Sequence, residues 1–197
     1  MIQPNPDAYL HACDVIDCDD PAIKACAAKL KHDTLESTVG ECFRFVRDEI
    51  FHSKDHQQNP VTYRASDVLA HRTGYCYAKS HLLAALLRVN GVPAGLCYQR
   101  LTIDGEAGPF SLHGLNAVFL TDRGWYRIDP RGNREGIDAQ FDPPHERLAF
   151  PIQRPGEIDF PGIYVRPLPI VGRCLTMHKT WDAVARSLPD LTDLPNP

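Results

Sequence analysis

Three side chains in this sequence could together make a thiol catalyst: Cys76, His113 and Asp129, in that order along the chain. The thiolate is the attacking species, so a nucleophilic cysteine needs a setting that favours ionisation. The stretch Arg72-Thr73-Gly74-Tyr75 runs straight into a long apolar helical pattern that opens at Cys76. A helix N-terminus presents unpaired N–H groups and the positive end of the macrodipole, both of which favour a thiolate. His113, at the head of a strand-like run, can act as base and then as acid. Asp129, at the end of the next run, can fix the imidazole tautomer and stabilise its charged form. Each residue alone has an ordinary structural explanation, and Asp129-Pro130 is a common turn opener. Nucleophile, base and orienter in combination point to cysteine-dependent acyl transfer.

Other residues could serve such a site. Tyr75, Tyr77 and Trp125 could line an acyl-substrate cleft. The backbone N–H of Cys76 is one oxyanion donor, with Tyr63, Tyr75, Tyr77 and Gln99 as candidates for the second. Arg100 and Arg131 could orient a substrate carboxylate.

The elements that must position these groups follow from hydrophobic spacing. Pro21 to Asp33 reads as a short helix capped by Asp19 or Asp20. Thr34 to His52 reads as a second helix, with Val39, Cys42, Phe43, Val46 and Ile50 on one face. Ser53 to Tyr63 is polar and reads as a loop, and Ser66 as the cap of a short helix. The helix from Cys76 to Asn90 is apolar over so wide an arc that it must be buried, and Asn90-Gly91 with Pro93 stops it. A strand from Ala94 to about Ile103, a loop over Asp104–Pro109, and two runs, Leu115–Leu120 and Trp125–Asp129, complete the core.

For His113 and Asp129 to share a face, odd positions must pair with odd positions across the hairpin. A two-residue turn at Asp122-Arg123 would give the opposite parity. A three-residue loop, with Gly124 left-handed in a bulge, is therefore expected. Beyond Gly136 the chain is Pro-rich and irregular until a last amphipathic helix at Thr176–Leu188.

With 197 residues, 43% hydrophobic and 23% charged, the chain has the balance of one soluble domain. That domain takes a core of about 34–135 and an irregular C-terminal extension of about 136–197. A net charge of −4 and scattered basic residues argue against a nucleic-acid surface, and no apolar run is long enough to cross a bilayer. The seven cysteines match no zinc spacing, and none of them pair as CxxC. With no secretory pattern at the N-terminus, free thiols and a cytoplasmic location are expected. The oligomeric state is not encoded in any feature of the sequence.

Three blocks carry a family resemblance: Arg72-Thr73-Gly74-Tyr75-Cys76 with Leu82 through Ala94, His113 leading its strand, and Gly124-Trp125-Tyr126-Arg127-Ile128-Asp129-Pro130. Together, over roughly Val46 to Gly132, they resemble the transglutaminase-like superfamily. That resemblance implies an α+β, papain-like fold, with helices packed on an antiparallel sheet and the cysteine at the N-terminus of the central helix. It implies Cys76 as nucleophile, His113 as base and Asp129 as orienter, acting on a peptide or protein amide. No metal or cofactor is implied, because nothing here resembles a calcium-binding loop. The chain departs from many members in having Leu115 two residues after the histidine. The Arg72–Cys76 stretch is also similar to arylamine N-acetyltransferases, which load their thiol from acetyl-coenzyme A, but the Gly124–Pro130 block fits the first family better. A non-catalytic peptide-binding scaffold is a third expectation, weakened by the intact trio.

Overall fold

Helix signals in the first half of the chain produce the helical layer. The computed structural model describes residues 5–103 and 108–197. A 3-10 turn over Pro6–Leu10 leads into α1 (Pro21–Lys29), where the Asp20 carboxylate accepts from the Ala22 and Ile23 N–H groups. α1 stops four residues short of Asp33, with Leu30 as its C-cap. Thr34 caps α2 (Leu35–Glu49) by accepting from the Ser37 N–H, and α2 buries Val39, Cys42, Phe43 and Val46.

The expected extension of α2 to His52 does not occur. Ile50 is extended, and Phe51–His52 becomes a short strand, β1. β1 pairs in parallel with β2 (Thr73–Gly74), setting His52 opposite Gly74. Between them lies α3 (Ala65–His71), which ends on a left-handed Arg72 (φ 54°) that turns the chain into β2.

Ser66 is not the cap of α3. It sits inside the helix, and the buried Asp17 carboxylate accepts from its backbone N–H at 3.1 Å and from its hydroxyl at 2.5 Å. The cap therefore comes from 49 residues upstream, a contact that local sequence cannot reveal. Asp17→Ala should cost about 1–2 kcal/mol, the usual worth of a helix cap, read as a lower melting temperature with unchanged reactivity of Cys76.

α4 (Cys76–Val89) is the centre of the molecule, buried from Cys76 through Arg88 as its all-round apolar pattern requires. Leu82, Leu83, Leu86 and Leu87 are fully buried, each worth about 1.5–3 kcal/mol in removed apolar surface. α1, α2 and α3 pack on α4, and β3 (Ala94–Thr102) and β4 (Phe110–Leu120) also pack against it. The sheet runs β5-β4-β3-β8, antiparallel throughout, with β5 at Gly124–Ile128 and β8 at Ile158–Asp159. The buried Asn116 amide ties sheet to helix, donating to the Ser80 carbonyl (2.9 Å) and the Gly95 carbonyl (3.2 Å).

The hairpin register is the odd-with-odd one expected from the sequence. Leu120 pairs with Gly124 and Ala117 with Arg127, odd with odd, and Gly124 is left-handed at φ 80°. The loop expected at Asp104–Pro109 lies largely outside the described residues.

The C-terminal part is more structured than its prolines suggest. β6 (Gln140–Asp142) and β7 (His145–Arg147) form a hairpin, and α5 (Pro169–Met177) precedes α6 (Trp181–Ala185). The single helix expected at Thr176–Leu188 is thus two pieces, broken where His178 is extended and Thr180 opens α6. Pro169 starts α5 earlier than expected, and Val171, Cys174 and Leu175 join the main core. Among the described residues, no helix is long and apolar enough to cross a membrane.

Candidate active site

The start of α4 puts Cys76 at the bottom of a cleft of about 440 Å³ whose walls include His52, Asp55, Tyr75, Tyr77, His113, Arg131 and Phe150. Cys76 is only 7% exposed, so its access to solvent is through that cleft. Tyr75 occupies the N-cap position with no side-chain cap, which leaves the first N–H groups of α4 without a side-chain partner there. The Gly114 N–H of β4 approaches the thiol sulfur at 3.5 Å.

The structure brings Cys76, His113 and Asp129 together. His113 Nε2 lies 2.7 Å from Asp129 Oδ2, and the same imidazole stands on the cleft wall with Cys76. With Nε2 on the carboxylate, Nδ1 is the nitrogen left for the sulfur. Asp129 is fully buried, and its remaining capacity is filled by the N–H groups of Arg131 (3.1 Å) and Ala149 (3.2 Å). The Phe150 ring stands edge-on to His113, centroids 5.0 Å apart, and fixes the imidazole plane.

Burial and charge compete at each group. For Cys76 burial alone would push the thiol up, but the charge and hydrogen bond of His113, followed by the hydrogen bond and charge of His52, bring it down to about 6. For His113 burial would lower the imidazole, yet the charges of Asp129 and Cys76 and its bonds to both raise it to about 10. For Asp129 burial would raise the carboxyl, and the His113 charge and hydrogen bonds hold it below its usual value. The favoured state is a thiolate–imidazolium pair braced by a carboxylate. In contrast, burial pushes Cys42 and Cys97 up to about 12 and Cys174 up to about 11.

The other expected site residues divide. Tyr75 and Tyr77 line the cleft, but their hydroxyls are committed to the backbone carbonyls of Trp181 and Leu112 respectively. Trp125 does not reach the cleft. Its ring packs on Tyr9 (4.8 Å) and Phe119 (5.6 Å), in a small cluster with Cys97, Leu115 and Ala117 away from the thiol. The register explains this, because Trp125 pairs with Phe119, six residues along β4 from His113. Gln99 Nε2 donates to the Phe150 carbonyl at 3.4 Å, and Tyr63 packs edge-on against His81. Arg100 is held by Asp190, the Gly156 carbonyl and the Phe110 ring, while Arg131 forks onto Asp55 at 2.6 and 3.0 Å. Neither arginine is free for a substrate carboxylate.

His52 and Asp55 were not foreseen. They enter the site only because β1 pairs with β2, two residues before Cys76, and a two-residue parallel pairing leaves no periodic trace in sequence.

An antiparallel sheet packs on the buried α4, with the Cys76 thiol at the start of that helix and the His113 imidazole of β4 on the wall of the same cleft. The family model of the transglutaminase-like superfamily matches residues 24–130, more than half of the sequence, and the chain belongs to that superfamily. Among solved structures it is similar to a candidate cysteine protease from Cytophaga hutchinsonii, at 17% identity and a TM-score of 0.53. That match covers 66% of this chain and 43% of the other, so this chain spans less than half its neighbour's length. The periplasmic domain of TgpA from Pseudomonas aeruginosa also matches, at 20% identity and a TM-score of 0.47, covering 64% of this chain and 48% of that one. No curated protein matches the chain.

Proposed function

We propose that this chain is a cysteine-dependent acyl-transfer enzyme that opens amide or peptide bonds through a thioester on Cys76. The observation that supports it is Cys76 and His113 lining one cleft, with His113 Nε2 bonded to the buried Asp129 carboxylate and the thiol lowered to about 6 by the neighbouring imidazole. In this scheme the Cys76 thiolate bonds to the carbonyl carbon, and the carbonyl electron pair moves onto oxygen. When that pair returns, the C–N bond breaks and the His113 imidazolium gives its proton to the leaving amine. Water or an amine then attacks the thioester, His113 takes the incoming proton, and the Sγ–C bond breaks. Water as acceptor gives hydrolysis and an amine gives transamidation, so product analysis with a glutamine amide and an added primary amine separates the two.

Iodoacetamide alkylation followed by peptide mapping tests the premise. Cys76 should react well ahead of the other six thiols at neutral pH, with a midpoint near 6, while Cys42, Cys97 and Cys174 stay inert until far higher pH. Screening peptide and carboxamide libraries should then give turnover that Cys76→Ala lacks. Equal, slow labelling of all seven thiols would leave the scaffold alternative standing instead.

A further inference from the structure

We infer that His52 is a catalytic residue of this site, donating the second hydrogen bond to the carbonyl oxygen as it becomes an oxyanion, opposite the backbone N–H of Cys76. The inference rests on the thioester reading above and completes it, since a tetrahedral intermediate needs two converging donors to hold its charge.

Every donor expected for that place is otherwise engaged. The Tyr75 and Tyr77 hydroxyls bond to backbone carbonyls, the Gln99 amide bonds to Phe150, and Tyr63 is not part of the cleft wall. His52 is on that wall and is only 7% exposed. The parallel pairing of His52 with Gly74 fixes it beside the chain that delivers Cys76. Its ring stands edge-on to Tyr75 at 5.4 Å, and it lines the same cleft as Cys76 and His113, where its charge helps to lower the thiol.

The opposite edge of the ring is held in place. His52 Nδ1 lies 3.5 Å from Asp55 Oδ1, an ion-pair approach that falls short of a hydrogen bond, and among the described residues it has no hydrogen-bond partner. Arg131 clamps Asp55 through two contacts of 2.6 and 3.0 Å, while its backbone N–H bonds Asp129. One residue thus braces both imidazole–carboxylate pairs. With Nδ1 facing Asp55, Nε2 is the nitrogen left for the cleft. In the resting site the cleft-side N–H of His52 stands beside the Cys76 sulfur. Once Sγ has bonded to carbon, the negative charge resides on oxygen, and the same N–H follows it there.

Two probes of Cys76 separate this role from simple thiol activation. p-Nitrophenyl acetate acylates the thiolate through an oxyanion, with Sγ–C forming and C–O breaking to release p-nitrophenolate. Iodoacetamide reacts by displacement of iodide at carbon and forms no oxyanion. His52→Ala should slow p-nitrophenolate release by about 100-fold or more, the usual loss for one oxyanion donor, with both rates compared at a pH where the thiol is fully ionised. The alkylation rate at that pH should stay close to wild type. His52→Gln, which keeps an N–H donor, should recover part of the acylation, and circular dichroism checks that both variants fold. If His52→Ala leaves acylation unchanged, slows both probes equally, or gains nothing from Gln, His52 does not hold the oxyanion. If wild-type Cys76 is no faster than the other thiols, or Cys76→Ala releases phenolate as fast as wild type, the thiol-enzyme reading itself fails.

Discussion

In His113→Ala, the alkylation midpoint of Cys76 should climb from about 6 to beyond the ordinary thiol value of 9.0, and acyl transfer should fall by about 10²–10⁴-fold. The sign follows from the balance at the sulfur. Burial is the largest influence and favours the neutral thiol; the imidazolium of His113 is the chief opposing one, with His52 behind it. Without His113, His52 alone faces that burial. A thiol with a midpoint of 9 is only about 1% ionised at pH 7, so most of the nucleophile is lost before the missing proton donor is counted.

The pH window of the pair has two edges. Cys76 is an acid whose folded value is lowered, so the ion pair disappears as pH falls through about 6. His113 is a base whose folded value is raised to about 10, so its stabilising charge is fully present below 6.5 and is lost as pH rises through about 10. Alkylation rates measured from pH 5 to 10 in wild type and His113→Ala check both statements. A midpoint unmoved by His113→Ala means that something other than the imidazole ionises the thiol. Asp129→Asn should move the midpoint less, because it acts on the sulfur only through His113.

How much of this site was visible in the residues depends on how local each cause is. Cys76 was legible because its helix is so uniformly apolar that only a buried central helix can account for it, and the thiol opens that helix. The geometry of His113 and Asp129 rested on parity across one hairpin, a property of the contiguous run between those two residues. The cap of α1, expected at Asp19 or Asp20 and found at Asp20, was equally local. What escaped were contacts between distant segments: Asp17 capping α3, and β1 pairing with β2. The end of α2 was misplaced for the same cause. Val46 and Ile50 continue a helical face, and nothing in Phe51-His52 announces that pairing with Thr73–Gly74 will take over. Trp125 could have lined the cleft or joined the core, and distance along the hairpin carries it to Tyr9, away from His113. One signal was present and unused. Gly114 sits inside the strand immediately after His113, and a glycine inside a strand often marks a close approach of another backbone.

That approach sets the second large effect. A Cβ on Gly114 would sit 2.8 Å from Tyr77 Cδ1, 3.1 Å from Tyr77 Cα and 3.3 Å from Tyr77 N. Two of those atoms are backbone of the first turn of α4, and the third belongs to a ring pinned by its bond to the Leu112 carbonyl. Neither can swing aside, so Gly114→Ala must push β4 off the start of α4. Overpacking of this kind costs about 1–3 kcal/mol, which lowers the melting temperature of a chain this size by about 2–12 °C. The displacement falls where the Gly114 N–H meets the Cys76 sulfur and where His113 reaches it, and a misplacement of about 1 Å at reacting groups can cost 10²-fold in rate. Gly95→Ala is the control. Its Cβ would meet Ile163 Cγ2 at 2.4 Å and the Tyr9 ring at 2.9 Å, in contacts that do not involve the cleft. Both variants should melt early, but at a temperature where both are folded only Gly114→Ala should lose the low-pH alkylation of Cys76. If Gly95→Ala loses it equally, the defect is general loosening. If Gly114→Ala keeps it, the thiol and imidazole do not depend on the close fit of strand to helix.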